Sequence, residues 1–128
     1  MNFRGAKIDQ STDSGMTPIM AAASQGHINT VKFLANKGAS LERKDKNDQN
    51  IIHLAAKKNQ HEVIRAIFDI ESTSKETLVN ENDQDDNTPL HLACDAGHLD
   101  SVKVLFEVKT LLSFALNTKQ APPGHGSD

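Results

Sequence analysis

Six histidines and one cysteine are the residues of this chain whose chemistry most readily suggests a site. The cysteine is Cys94, and the histidines are His27, His53, His61, His91, His98 and His125. Imidazole and thiolate groups bind metals, and a thiolate with a neighbouring base acts as a nucleophile. Cys94 has no paired base in the sequence pattern, and the chain contains neither a glycine-rich phosphate loop nor a G-x-S-x-G element. The sequence therefore predicts no catalytic residue and no enzyme.

One acidic segment begins like a calcium loop. Asp83, Asp85 and Asn87 alternate as the first ligands of an EF-hand do, but that loop then requires glycine at the sixth position and an acidic residue at the twelfth. Those two positions hold Thr88 and Cys94. The segment is therefore predicted to be a polar turn, and we expect neither a metal nor another cofactor.

Length and composition limit the classes of fold and partner. The chain has 128 residues and a formal net charge of −3, with both signs spread along it. A chain of this length fits one compact domain. Trp and Tyr are absent, so the core must come mainly from Ala, Leu, Ile and Val, which suit thin layers of closely packed helices. The charge gives no reason to expect a polyanionic ligand, so nucleic acid is not an expected partner.

The single cysteine and the N-terminus indicate a cellular context. Cys94 cannot form an intrachain disulfide, which favours a reducing compartment. The first ten residues, MNFRGAKIDQ, lack the apolar segment of a signal peptide. No run approaches the roughly 20 apolar residues of a membrane span. We therefore expect a cytoplasmic location and no membrane insertion by this segment.

A repeated segment organises the chain. The best copy is TPLHLACDAGHL at 88–99, and the earlier copies are TPIMAAA at 17–23 and NIIHLAA at 50–56. The copies start 33 and 38 residues apart. A fixed period of this size is typical of a helical solenoid, and the second spacing implies a five-residue insertion.

Each copy carries the signals of a helix, a tight turn and a second helix. Thr17 and Thr88 are suited to cap a helix N-terminus, and the prolines after them suit the first helical position. Gly26 and Gly97 supply the positive φ that ends the first helix, and Asn59 is the next most tolerant residue at the matching place. Second helices are predicted at about 28–36, 61–69 and 99–108. Their spacing predicts an apolar face that packs inward, made of Ile28, Val31, Phe33, Leu34, Val63, Ile64, Ile67, Phe68, Leu99, Val102, Leu105 and Phe106.

Paired small residues in the first helices predict close contact between layers. The pairs are Ala22-Ala23, Ala55-Ala56 and Ala93-Cys94. Cys94 is therefore expected to be a buried packing residue, and Leu92 is expected in the core.

These motifs resemble the ankyrin repeat family. TPLHLA followed by Gly-His, with GAS-L before the next unit, is a specific signature and covers roughly residues 2–108. The resemblance implies an all-α ankyrin-repeat solenoid of stacked helix-turn-helix units with β-hairpin-like finger loops. It also implies that His53 and His91 join hydrogen bonds between neighbouring units, and that Met20 has lost this bond in the first. His27 and His98 open the second helices, and His61 is expected to be exposed.

The repeat register predicts the domain boundaries. Residues 1–12 resemble the end of a truncated preceding repeat, with a degenerate first unit as the alternative. Repeat one spans 13–45, repeat two spans 46–82 with the insertion near 71–75, repeat three spans 83–116, and 117–128 is a flexible tail.

Two segments depart from the repeat. Thr73 and Glu76 fit a capping box, which predicts a short helical turn at about 74–78. After Phe106 the expected Gly-Ala is missing. An extended terminal helix with a stripe of Val102, Leu105, Leu112 and Leu116 is favoured there, and a segment that folds back over the open end is the alternative.

The resemblance implies that finger-loop tips and exposed first-helix positions form a concave face that binds another protein. The matching positions are Asp13, Ser14, Met16, Ser24, Gln25, Lys46, Asn47, Gln49, Lys57, Lys58, Gln84, Asp85, Asn87, Asp95 and Ala96. Their charge runs from nearly neutral in repeat one, through basic, to acidic in repeat three. We therefore expect a partner with an acidic patch opposite repeat two and a basic patch opposite repeat three.

An alternative function is a structural segment of a longer array in a larger scaffold, in which the flat ends of the stack make the important contacts. The passage HLAAKKNQHEVIRAIF, with the long loop before TPLHLA, is similar to the cytosolic arrays of ankyrin-rich TRP-type cation channels. The chain is expected to be a monomer or part of such an array.

Overall fold

The computed structural model describes residues 7–70 and 73–120, with side chains described through residue 115. These residues form seven helices and no β-strand. The helices are α1 (Pro18–Gln25), α2 (Ile28–Asn36), α3 (Ile51–Lys57), α4 (His61–Phe68), α5 (Lys75–Asn80), α6 (Pro89–Ala96) and α7 (Leu99–Gln120). The predicted all-α fold is confirmed.

The first helix of each unit starts and ends at the residues that the sequence indicated. Thr17 caps α1 by accepting a hydrogen bond from the Met20 N–H at 3.4 Å, and Gly26 ends it with φ 82°. Thr88 and Gly97 do the same for α6, where Gly97 has φ 74°. Asn59 follows α3 with φ 58°, so an asparagine replaces glycine in the middle unit as predicted.

The helices form two layers. Helices α1, α3 and α6 pack side by side in one layer, and α2, α4 and α7 form the other. The alanines of the small pairs are all buried, as predicted, but Cys94 is exposed. The reason is its position, because within the described residues no further unit covers the outer side of α6.

The insertion between the second and third units folds as helix α5. It is longer than the predicted turn at 74–78, and its Leu78 and Val79 are buried. The predicted capping box is wrong, because the Thr73 hydroxyl donates to the Ile67 carbonyl at 2.8 Å. Ser74 is the N-cap residue instead, and its hydroxyl donates to the Glu42 carboxylate. The first part of the insertion, residues 71–72, lies outside the described residues.

The last helix is extended, as the sequence favoured, and does not fold back over the end of the stack. Helix α7 has 22 residues. Leu105 on its stripe is buried, and Val102 and Leu112 are half-buried against the core. Residues 117–120, predicted to belong to a flexible tail, instead continue α7. The side chain of Leu116 and the predicted tail from residue 121 onward lie outside the description, as do residues 1–6.

Four apolar residues predicted to face inward are more exposed than expected. Phe33, Leu99 and Phe106 are 60%, 61% and 64% exposed, and Leu92 is only half-buried. Phe33 belongs to the first unit and the other three belong to the last. Helical periodicity assigns these residues to an apolar face, but burial needs a neighbouring unit on each side.

We predict that truncating a side chain in the middle unit lowers stability far more than truncating an apolar residue at an end. Ile64 is fully buried in α4, so Ile64→Ala should lower the free energy of unfolding by about 2–5 kcal/mol. Leu99→Ala, at an exposed position, is the matched control and should change it by less than about 1 kcal/mol. Urea unfolding followed by circular dichroism measures both, and equal effects would contradict this placement of the core.

Candidate functional site

Three polar loops precede the first helices and form one edge of the molecule. The first and last residues of each loop are joined by a backbone hydrogen bond of 2.9–3.0 Å, in the pairs Thr12–Met16, Asp45–Gln49 and Asp83–Asn87. Neighbouring loops are also joined, because the Lys46 N–H donates to the Ser14 carbonyl and the Gln84 N–H donates to the Asn47 carbonyl, both at 2.9 Å. The finger loops therefore form a continuous hydrogen-bonded row.

A carboxylate organises each of the last two loops from within. Asp83 Oδ1 accepts the N–H groups of Asp85 and Asn87, both at 2.9 Å, and Asp45 Oδ1 makes the same pair of contacts in the preceding loop. Burial alone would raise the pKa of Asp83, but the hydrogen bonds from Asn87 and Asp85 outweigh it and hold that pKa below its usual value. The acidic segment that resembled a calcium loop is thus a turn around the Asp83 side chain.

Most of the residues predicted to bind a partner are accessible. Met16 and Asn87 are half-buried, and the exposed residues are Asp13, Ser14, Gln25, Lys46, Asn47, Lys57, Lys58, Gln84, Asp85, Asp95 and Ala96. The expected exposure of Ser24 and Gln49 is wrong, since they are 8% and 6% exposed. The Ser24 carbonyl accepts a hydrogen bond from Gln60, and the Gln49 side chain accepts one from Lys57 at 3.3 Å. Ser24 and Gln49 therefore support the surface rather than form it.

The accessible charges differ between the second and third units. Lys57 and Lys58 end helix α3, on the unit whose finger loop carries Lys46. Asp85 and Asp95 are exposed in the third unit. Within the described ranges the ion pairs are Lys44–Glu81 and Arg65–Glu107, each at 3.3 Å. None of these five charges takes part in them.

A buried polar network beneath this surface connects the second unit to helix α5 and to the third unit. Asn50 caps α3 through its Oδ1, which accepts the N–H groups of Ile52 and His53 at 2.8 and 2.9 Å. Its Nδ2 donates to the Leu78 carbonyl at 3.0 Å and to Glu81 Oε1 at 2.8 Å. Asn50 therefore fixes helix α5 as well as starting α3. The sequence signal for this role was asparagine in place of the threonine found in the other two units.

His53 extends the same network to the third unit. Its Nδ1 accepts the Asn50 N–H at 3.0 Å, which leaves Nε2 to donate to the Asn87 carbonyl at 2.8 Å. The bond between units implied by the family resemblance is therefore present. Burial lowers the pKa of His53 below 6.5, although the Asn87 carbonyl and the nearby Asp83 and Glu81 carboxylates favour the charged form.

The remaining described histidines also occupy places set by the repeat. His98 Nε2 lies 3.1 Å from the Lys57 carbonyl and joins the third unit to the second. His91 forms a capping box with Thr88, as His53 does with Asn50, but it is exposed and has no following unit to reach among the described residues. His61 is half-buried rather than exposed. No group of three or more metal-ligating side chains lies together in the described part of the chain.

The two helical layers, the row of finger loops and the hydrogen bonds between units define a helical repeat protein. Among residues 7–70 and 73–120, no helix combines the length and the apolar character needed to cross a membrane. The chain belongs to the ankyrin repeat family, because the family model for ankyrin repeats in three copies matches residues 2–77 and 45–113. A comparison with curated proteins finds no match. Ankyrin repeats are generally non-enzymatic modules for protein–protein interaction.

We predict that His53 makes stability depend on pH. In the folded chain its pKa lies below the ordinary 6.5, so below that pH the unfolded chain binds more protons than the folded chain. The free energy of unfolding should therefore fall as the pH drops from 6.5 toward the folded pKa, by at most about 1.4 kcal/mol per pH unit. Urea unfolding at a series of pH values measures this slope.

His53→Met is the matched control for the pH effect, because Met20 is the natural residue at the same place in the first unit. The variant should show a shallower slope below pH 6.5. If wild type and variant lose stability in parallel, another group is responsible.

We also predict that replacing the Asn50 amide lowers the free energy of unfolding. Asn50→Thr keeps an oxygen that caps α3 but removes the two bonds donated to Leu78 and Glu81, so it should lower the free energy of unfolding by about 1–3 kcal/mol. Thr88→Asn exchanges the same residue types at a cap whose described side-chain hydrogen bonds are with His91, and it should change the free energy of unfolding by no more than about 0.5 kcal/mol. Thermal unfolding of both variants provides the comparison, and equal effects would remove the anchoring role of Asn50.

Proposed function

We propose that this chain is a non-enzymatic binding module, in which the finger loops and the exposed ends of the first helices grip a protein partner. The observation that carries the proposal is the row of hydrogen-bonded loops, which holds exposed polar side chains at fixed spacing. A rigid surface binds with a smaller entropic penalty than a flexible one. The single cysteine supports a reducing, cytoplasmic setting.

The charge pattern supports a partner of defined chemistry. Lys46, Lys57 and Lys58 make the second unit basic on this side, while Asp85 and Asp95 make the third unit acidic. We infer that the partner carries an acidic patch opposite the second unit and a basic patch opposite the third. Complementary charges of this kind raise the association rate and select between partners.

The test is charge reversal at the end of α3. Lys57 and Lys58 are exposed, so Lys57→Glu with Lys58→Glu should leave the fold intact. Partners are selected with the wild-type module as bait, and their affinities for wild type and variant are measured by calorimetry. We expect affinity to fall by about tenfold or more at low salt, with a smaller loss at high salt because screening weakens exposed charges.

Lys32→Glu with Lys103→Glu is the matched control, since both lysines are exposed on second helices, in the other layer. The control should retain the affinity of the wild type. A partner that loses affinity for the control and not for the Lys57 and Lys58 variant would place the binding surface on the opposite side.

A second candidate function is that of a segment within a longer ankyrin array, such as a scaffold or a TRP-type channel. The exposure of His91, Cys94 and Phe106 on the last unit favours it, because the equivalent positions of the second unit are buried. In that case Phe106→Glu should impair the function of the larger protein more than reversal of Lys57 and Lys58 does. The opposite ranking would favour the concave surface.

A further inference from the structure

The contacts between units follow one repeated pattern. The N–H at one position of a finger loop donates to a carbonyl of the preceding loop, as Lys46 does to Ser14 and Gln84 does to Asn47. The side chain just before each second helix donates to a carbonyl at the end of the preceding first helix. The two examples are Gln60 to Ser24 and His98 to Lys57, both at 3.1 Å.

The outer face of the third unit presents the accepting half of this pattern. In the repeat register, Asp85 matches Ser14 and Asn47, and Asp95 matches Ser24 and Lys57, so the carbonyls of Asp85 and Asp95 take the accepting places. His91 has the capping geometry of His53, which directs its Nε2 toward the same face. We name this surface the acceptor end: Asp85, His91, Cys94, Asp95 and Phe106, all exposed.

The acceptor end also includes a concave surface. A cavity of about 520 Å³ lies against Thr88, Leu90, His91, Cys94, Asp95 and Lys109. On helix α7 of the same unit, Phe106 is 64% exposed, whereas Phe68, at the same place in the second unit, is buried against the third.

The outer face of the first unit presents the donating half. Asp13 matches Lys46 and Gln84, and His27 matches Gln60 and His98, so their N–H groups take the donating places. Phe33 is 60% exposed, whereas the matching Ala66 and Val104 of the later units are buried. We name this surface the donor end: Asp13, Ala21, His27, Thr30 and Phe33, all exposed.

We propose that two copies of this chain stack head to tail, with the donor end of one copy on the acceptor end of another. The contact would continue the interface that already joins the units of one chain. Each donor of the pattern meets its acceptor: Asp13 N–H faces the Asp85 carbonyl, the His27 ring faces the Asp95 carbonyl, and His91 faces the Met16 carbonyl, which matches Asn87.

The formal charges of the two terminal units, taken as whole units, are opposite in sign. The third unit, residues 83–116, carries six acidic residues and two lysines, while the first, residues 13–45, carries three acidic residues and four basic ones. Helix α7 continues through the position where α2 and α4 end, and its extension contacts α5, as in the bond from Lys109 to Asn80 at 3.3 Å. Of the described residues after Phe106, Lys109 lines the cavity at the acceptor end.

The test is sedimentation equilibrium of the whole chain at increasing concentration. A head-to-tail contact between unlike faces builds an open filament unless its rotation closes a ring. Stacking that continues the solenoid should therefore raise the average mass of the wild type above the 14.0 kDa of one chain without a fixed limit. Phe33→Glu blocks the donor end and Phe106→Glu blocks the acceptor end. Each variant alone should associate at least tenfold more weakly than the wild type.

An equimolar mixture of the two variants tests whether the chains pair head to tail. One variant retains an acceptor end and the other a donor end, so the mixture should form a complex of at most two chains. Thr77→Glu, an exposed substitution on α5, should associate like the wild type, and circular dichroism checks that every variant is folded. The proposal is overturned if the wild type stays monomeric at about 1 mM, if either variant associates normally, or if the mixture does not restore pairing.

Discussion

Burial between neighbouring units is the constraint on which this structure depends. A helix-turn-helix unit of this size cannot enclose its own apolar surface, so each face is buried only when another unit lies against it. The middle unit has both neighbours and supplies most of the fully buried large side chains, among them Ile52, Ile64 and Ile67. The polar contacts obey the same rule, because Asn50 and His53 can be buried only where α5 and the third finger loop satisfy their hydrogen bonds.

Local features were predictable from the sequence because they depend on a few adjacent residues. The caps at Thr17 and Thr88, the positive φ at Asn59 and the start of each second helix are all set by residue type and spacing. Burial was less predictable, because periodicity gives the direction of a side chain and not what lies beyond it. Cys94 matches the buried Ala23 and Ala56, yet it is exposed because no unit among the described residues covers its side of α6.

The predicted binding surface was likewise only partly predictable from the sequence. Its exposed members are set by the repeat register, which assigns them to loop tips and to the ends of the first helices. Ser24 and Gln49 share that register but are buried. The Gln60 side chain reaches the Ser24 carbonyl from the next unit, and the Lys57 side chain bonds to Gln49 within the second unit. The contact to Ser24 depends on the residue chosen in another unit, so one unit read alone cannot reveal it. The predicted capping box at Thr73 is wrong because the Thr73 hydroxyl bonds to the Ile67 carbonyl instead of capping α5.

The two departures from the repeat act together. The inserted helix α5 buries Leu78 and Val79 beside the second unit and is fixed there by the Asn50 amide. The extended part of α7 also contacts α5. A groove of about 260 Å³ between α4 and α7 is lined by Phe68, Val104, Leu111 and Leu112, with Lys75 of α5 at its edge. A regular third unit would have ended its helix at the place of Asn36 and Phe68 and lost this contact. The insertion thus provides a surface for a longer last helix, and that helix partly replaces the burial that a terminal unit otherwise lacks.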